Sequence, residues 1–99
     1  MYRAGAFLLD QRKLEEAARY LEKSVATDPN SAPARVSYGR YLLEQSRAQE
    51  AITQLRQAVK LDAGDAPAWF QLARAYQKAG DSVAAQGALR MYEKLKQEN

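Results

Sequence analysis

The stretch Ala66–Tyr76, APAWFQLARAY, has a counterpart upstream at residues 32–42, APARVSYGRYL. Both open on Ala-Pro-Ala, and both then place small and large apolar residues at the same offsets. The step between them extends in both directions. Gly5, Gly39 and Ala73 are 34 positions apart, as are Ala17, Ala51 and Ala85, then Leu21, Leu55 and Leu89, and finally Leu8, Leu42 and Tyr76. A fixed period of this length is the mark of a repeat array, in which each unit buries its apolar face against the next.

Within each unit the apolar residues recur at three and four, as in Leu14, Ala17, Ala18, Leu21, Val25 and in Ala48, Ala51, Ile52, Leu55, Val59. That spacing is helical, and no segment shows the alternation of a strand. Ser31 and Asp65 are strong N-caps, each followed by Ala-Pro, where a missing N–H in the first turn costs nothing. Gly80 is suited to a turn with positive φ inside the last unit. The pattern predicts six helices, at about 1–10, 14–27, 32–45, 48–61, 66–79 and 82–97, arranged as a row of helix pairs in an all-α chain.

Composition narrows the chemistry. The 99 residues contain no cysteine and no histidine, and the net charge is +3. Disulfides, thiolate nucleophiles and imidazole bases are excluded, and zinc loses its two favoured ligands. Asp62-Ala63-Gly64-Asp65 has one glycine and no following lysine, so it is no phosphate loop. Glu15, Glu16 and Glu50 lie on helix surfaces and converge on nothing. The reading is therefore no enzyme, no catalytic residue, no cofactor and no metal. No stretch approaches a membrane span, and nothing separates a cytoplasmic from a periplasmic location.

The repeats resemble the tetratricopeptide repeat (TPR), a helix-turn-helix unit of about 34 residues. Trp69, Leu72, Ala73 and Tyr76 fall where its first helix carries Trp, Leu, Gly or Ala, and Tyr. Ala85 and Leu89 match its second helix. Gly39, Leu42, Ala51, Leu55 and Ala58 match in the second unit, and Gly5, Leu8, Ala17, Leu21 and Pro29 in the first. The resemblance implies an alpha-alpha superhelix, or solenoid, of three units at about residues 1–31, 32–65 and 66–99, forming one domain. It also implies a concave face lined by the first helix of each pair. Trp69 is expected to pack between helices, with Tyr20, Tyr41 and Tyr92 partly buried.

Departures from the pattern are Ala63 in place of the family's proline, Tyr92 in place of the small residue seen as Ser24 and Ala58, and changes at both ends. Met1 and Arg35 stand where Trp69 stands, and Met1 aligns with Arg35 rather than Ala32, so the first helix lacks its opening turn. The last helix turns polar, with Gln86 in place of Ala18 and Ile52, and Glu93 in place of Val25 and Val59. The array is expected to end near Asn99 and to be a piece of a longer protein cut at its N-terminus. That shortened edge leaves Phe7 and its apolar neighbours open and favours a homodimer.

On the first helix of each pair, some residues point away from the core face at 100° per residue. They are Tyr2, Ala6, Leu9 and Asp10 in unit one, Val36, Arg40, Leu43 and Glu44 in unit two, and Phe70, Arg74, Gln77 and Lys78 in unit three. Tyr2, Val36 and Phe70 make an apolar line with Ala6, Arg40 and Arg74 beside it. Such a groove suits a protein or extended peptide carrying a large apolar side chain and a nearby carboxylate, which arginine would grip in bidentate fashion. An ion pair of Arg40 with Glu44, or of Glu44 with Lys78, would instead make the patch structural. The carboxylate clamp that some members hold against chaperone tails maps to Tyr2, Ala6, Ser37, Pro67 and Gln71, and only Gln71 offers a donor amide. A clamp-type chaperone tail is therefore not the expected ligand. Nucleic acid is disfavoured by Asp10 and Glu44 in the groove. The expected function is a protein–protein interaction scaffold. The alternatives are a structural or self-association segment of a longer array and, behind it, an RNA-binding helical repeat.

Overall fold

The computed structural model describes the backbone of residues 2–98 and the side chains of residues 13–98. The chain is all-helical among the described residues. The order is α1 (Tyr2–Thr27), α2 (Ala32–Glu44), α3 (Ala48–Leu61), α4 (Ala66–Lys78) and α5 (Ser82–Glu98). Helices adjacent in sequence pack on one another, and α2 also lies beside α4. This is the solenoid expected from the repeat, with five helices instead of six.

The start signals act as the sequence implies. The Ser31 hydroxyl accepts from the Ala34 N–H at 3.2 Å, and the Asp65 carboxylate accepts from the Ala68 N–H at 3.3 Å. Pro33 and Pro67 sit in the first turns of α2 and α4. Asp81 caps α5 by accepting from Ala84 at 3.1 Å.

The two tight turns inside the pairs share one geometry. At the end of α2, Ser46 takes φ +61°, its N–H reaching the Leu43 carbonyl at 3.0 Å while Arg47 reaches Leu42 at 2.9 Å. At the end of α4, Gly80 takes φ +85°, and the matching bonds run to Gln77 at 3.1 Å and from Asp81 to Tyr76 at 2.9 Å. Both are Schellman caps, which need a left-handed residue just past the helix.

The first unit lacks that turn. The residue 34 positions before Ser46 is Arg12. A left-handed conformation there carries the Cβ penalty of an L-residue, about 1–2 kcal/mol. Asp10-Gln11-Arg12-Lys13 contains no glycine, asparagine or proline; Glu44-Gln45-Ser46-Arg47 contains none either but turns with a short serine at the left-handed position, whereas the predicted break between residues 10 and 14 does not form. The two expected helices at 1–10 and 14–27 run together as α1.

The core lies in the second and third pairs. Leu42, Leu55, Leu72 and Ala73 are buried in one cluster with Ile52, Val59 and Ala88. Gly39 is there because nothing larger fits: a Cβ at that position would lie 2.6 Å from the Leu55 Cγ. Small residues thus set how closely α2 approaches α3, and Leu55, with 0% exposure, fills the contact.

Candidate binding surface

Arg40 and Glu44 project from α2 into solvent, and Gln77 and Lys78 do the same from α4. Neither Arg40–Glu44 nor Glu44–Lys78 forms an ion pair. Among the described residues the ion pair found is Arg47 with Glu50, at the start of α3. Arg74 is half-buried, and its guanidinium donates to the Gln71 amide oxygen at 3.0 Å. That bond holds the cation against its own helix without neutralising it.

The expected apolar line divides. Val36 is half-buried and packs against the core cluster. Phe70 is 38% exposed, and its ring lies 5.1 Å from the Tyr92 ring at a tilt of 48°. The Lys96 ammonium sits 5.3 Å over that same tyrosine, so Phe70, Tyr92 and Lys96 form one aromatic and cationic cluster joining α4 to α5. Tyr92 was legible only as a departure from the repeat, a large residue where Ser24 and Ala58 are small.

Leu43 requires a correction. It is 1% exposed and sits in the core, so it lines no groove. At 100° per residue it falls close to the edge of the buried stripe of α2, and it belongs to the same buried cluster as Leu72 and Ala75 of α4. Tyr2 and Ala6, with Leu9 and Asp10, lie outside the residues whose side chains are described.

The other aromatics separate by environment. Trp69 is half-buried against the cluster, and its indole N–H donates to the Ala63 carbonyl at 2.8 Å. The proline usual in the repeat is alanine at 63, so this tryptophan ties down the loop before its own helix. Tyr41 and Tyr92 are half-buried as expected. Tyr20 is 72% exposed, contrary to expectation. Tyr38 stacks on Tyr41 with centroids 6.4 Å apart. Partial burial, together with the Glu22 carboxylate, raises its hydroxyl above the ordinary tyrosine pKa.

No group of three or more His, Cys, Asp or Glu side chains is placed to hold a metal among the described residues. No helix among them is long and apolar enough to cross a membrane. The surface offers aromatic faces, guanidinium donors and a carboxylate, which is chemistry for recognition.

Similar proteins fall in line with this geometry. Two family models, both described as tetratricopeptide repeat, match residues 2–66 and 42–99. No curated protein is significantly similar to the chain. Among solved structures, an RS-1 MamA double mutant is 25% identical with a TM-score of 0.81, over 98% of this chain and 55% of that one. YrrB, a TPR protein with an unusual peptide-binding site, is 22% identical with a TM-score of 0.81, over 96% of this chain and 49% of that one. The Yersinia enterocolitica type III secretion translocator chaperone SycD, in an alternative dimer, is 16% identical with a TM-score of 0.78, over 95% of this chain and 71% of that one. The chain thus spans about half the length of the MamA and YrrB structures. With the two models together running from residue 2 to residue 99, the chain belongs to the tetratricopeptide-repeat family.

Proposed function

We propose that the chain is a non-catalytic protein–protein interaction scaffold that binds an extended peptide or partner protein along α2 and α4. One observation carries the reading: Arg40 and Arg74 occupy the same repeat position on adjacent helices, and neither is paired with a carboxylate among the described residues. Unpaired guanidinium groups on a packed scaffold are ready acceptor-binding forks. The half-exposed Phe70 ring lies one turn from Arg74 and supplies an apolar seat beside the charge. A ligand of this surface presents a large apolar side chain with an Asp or Glu close by. That YrrB has a peptide-binding site on a similar fold agrees with this reading.

The test is a peptide array that varies the spacing between one aromatic or leucine and one carboxylate, probed with the intact chain. The expected result is selective capture, weakened at least tenfold by Arg40→Glu with Arg74→Glu while the helical circular dichroism holds; each bidentate charge-assisted pair contributes about 1.5–3 kcal/mol. Equal capture by the double variant refutes the assignment. Salt-sensitive capture of RNA, lost with the same two arginines, would move the surface to nucleic acid.

A further inference from the structure

The second and third pairs fill a space that the first leaves open. In the second pair, the Arg35 guanidinium donates to the Gln54 amide oxygen at 2.8 Å, and Gly39 presses on Leu55. Thus α2 covers the face of α3 that carries Gln54, Leu55 and Ala58, and Ala68 of α4 is 0% exposed beside it. Thirty-four residues earlier the matching positions are Tyr20, Leu21 and Ser24 on α1 and Ala34 on α2. None of the four is buried. They line an open groove of about 610 Å³ between α1 and α2, and its accessible surface is more apolar than polar.

The residues that would fill it are written into the sequence. Met1, Gly5 and Leu8 stand 34 before Arg35, Gly39 and Leu42. The backbone around Gly5 cannot reach the groove of its own chain while α1 runs unbroken through residues 10–13, because an unbroken helix carries its first turns away from its last. A 26-residue helix is ~39 Å long at about 1.5 Å per residue. We infer that residues 2–10 of a second copy occupy the groove between α1 and α2, so that two chains exchange their N-terminal turns in a symmetric dimer.

The register is fixed by the repeat. Gly39 meets Leu55, so Gly5 of one copy stands against Leu21 of the other, with the two α1 helices antiparallel. The sum of those two positions places Lys13 at the two-fold axis, in the middle of α1, as Arg47 lies midway between Gly39 and Leu55. Every contact that a folded-back first helix would make is made between chains, and no left-handed residue is needed at Arg12. Exchange of an identical element is a low-cost route to a dimer for this reason. This surface is separate from the peptide surface of α2 and α4, and either reading can fail alone.

Gly5→Cys with Leu21→Cys reads the exchange, since the chain has no other cysteine. Mild oxidation is expected to give a disulfide-linked dimer on a non-reducing gel, and light scattering of the unsubstituted chain is expected to give twice the chain mass. An internal disulfide in a monomer would show the same segment folding back on its own chain. No disulfide, with a monomeric unsubstituted chain, would leave the groove to some other occupant. Either result overturns the exchange. A second variant, Arg12→Gly with Lys13→Asp, copies the Gly80-Asp81 turn. It should shift the unlinked chain towards monomer by at least tenfold in dissociation constant. A dimer of unchanged affinity in that variant contradicts the part assigned to the unbroken helix.

Discussion

Leu21 and Leu55 hold the same place in two consecutive repeats, yet Leu55 is enclosed and Leu21 is half-exposed. The contrast runs along the whole face. Ala51 and Ala58 are buried where Ala17 and Ser24 are not, and Ala68 is buried where Ala34 is not. The residues of the two faces are similar in size and kind. What differs is the helix laid across them, present in the second pair and, among the described residues, absent from the first. Burial in a solenoid therefore belongs to a repeat and its neighbours together, and a repeat cannot protect its own face.

The largest expected effect comes from cutting into that contrast. Leu55→Ala removes a fully enclosed side chain and is expected to cost about 3 kcal/mol, within the usual range for buried leucine. Leu21→Ala, measured at a concentration low enough to keep the chain monomeric, should cost only about 1 kcal/mol because water already reaches the site. Urea unfolding of both variants compares them. Equal losses would mean that the first face is as well covered as the second.

The glycines of the two repeats should differ even in sign. Gly39→Ala drives a methyl to within 2.6 Å of Leu55 Cγ, and the core has no slack there. A net loss of about 1–3 kcal/mol is expected from overpacking, even after the helix-propensity gain. Gly5→Ala in the dilute chain falls inside α1 and should gain about 0.5–1 kcal/mol from helix propensity. A stabilised Gly39→Ala variant would break the close-approach account of α2 on α3.

Much of this was legible in the sequence. The 34-residue step located the pairs, and Ser31, Asp65 and Gly80 marked starts and stops through local chemistry that needs no partner. The surface was less legible. Helical periodicity says which way Leu43 points, but not that it joins a buried cluster shared with α4. Tyr20 is the converse case: its repeat equivalent Gln54 is met by Arg35, while among the described residues no helix of the first unit meets Tyr20, which is 72% exposed. The missing turn was less legible: Arg12 stands where Ser46 and Gly80 take positive φ, and Ser46 is itself an L-residue that bears that conformation. The strength of the repeat hid it, because an average over three units smooths away a departure in one.

Smaller effects sharpen the same comparison at the helix ends. Asp65→Ala and Ser31→Ala each remove a side-chain acceptor and are expected to cost about 1 kcal/mol. Asp65 should cost more in the whole-chain unfolding midpoint, because α2 borders the open groove against α1, whereas α4 packs closely on both α3 and α5. Ser46→Gly relieves an L-residue at φ +61° and should stabilise the chain by about 0.5 kcal/mol, the strain released being partly offset by glycine's freedom when unfolded. A destabilised Ser46→Gly variant would show that its hydroxyl, not its backbone, matters in the turn.

The subtlest probe sits on the seam between the two regions. Tyr38 of α2 titrates above the usual value because it is partly buried and because Glu22 of α1 lies close; Arg47 pulls the other way, and Glu50 and Tyr41 add to the rise. The neutral phenol is the favoured form in the fold. Its contribution to stability is therefore complete below the unfolded pKa of about 10 and disappears as pH rises through the higher folded value. Absorbance at 295 nm should follow this ionisation, and Tyr38→Phe identifies which part of the signal belongs to it. Glu22→Gln should lower the midpoint, though not to the ordinary value, because burial is the leading cause and remains. Glu22 belongs to the open first repeat and Tyr38 to the closed second. A midpoint unmoved by Glu22→Gln would mean that α1 lies farther from α2 in solution, and that the groove between them is wider than its lining residues imply.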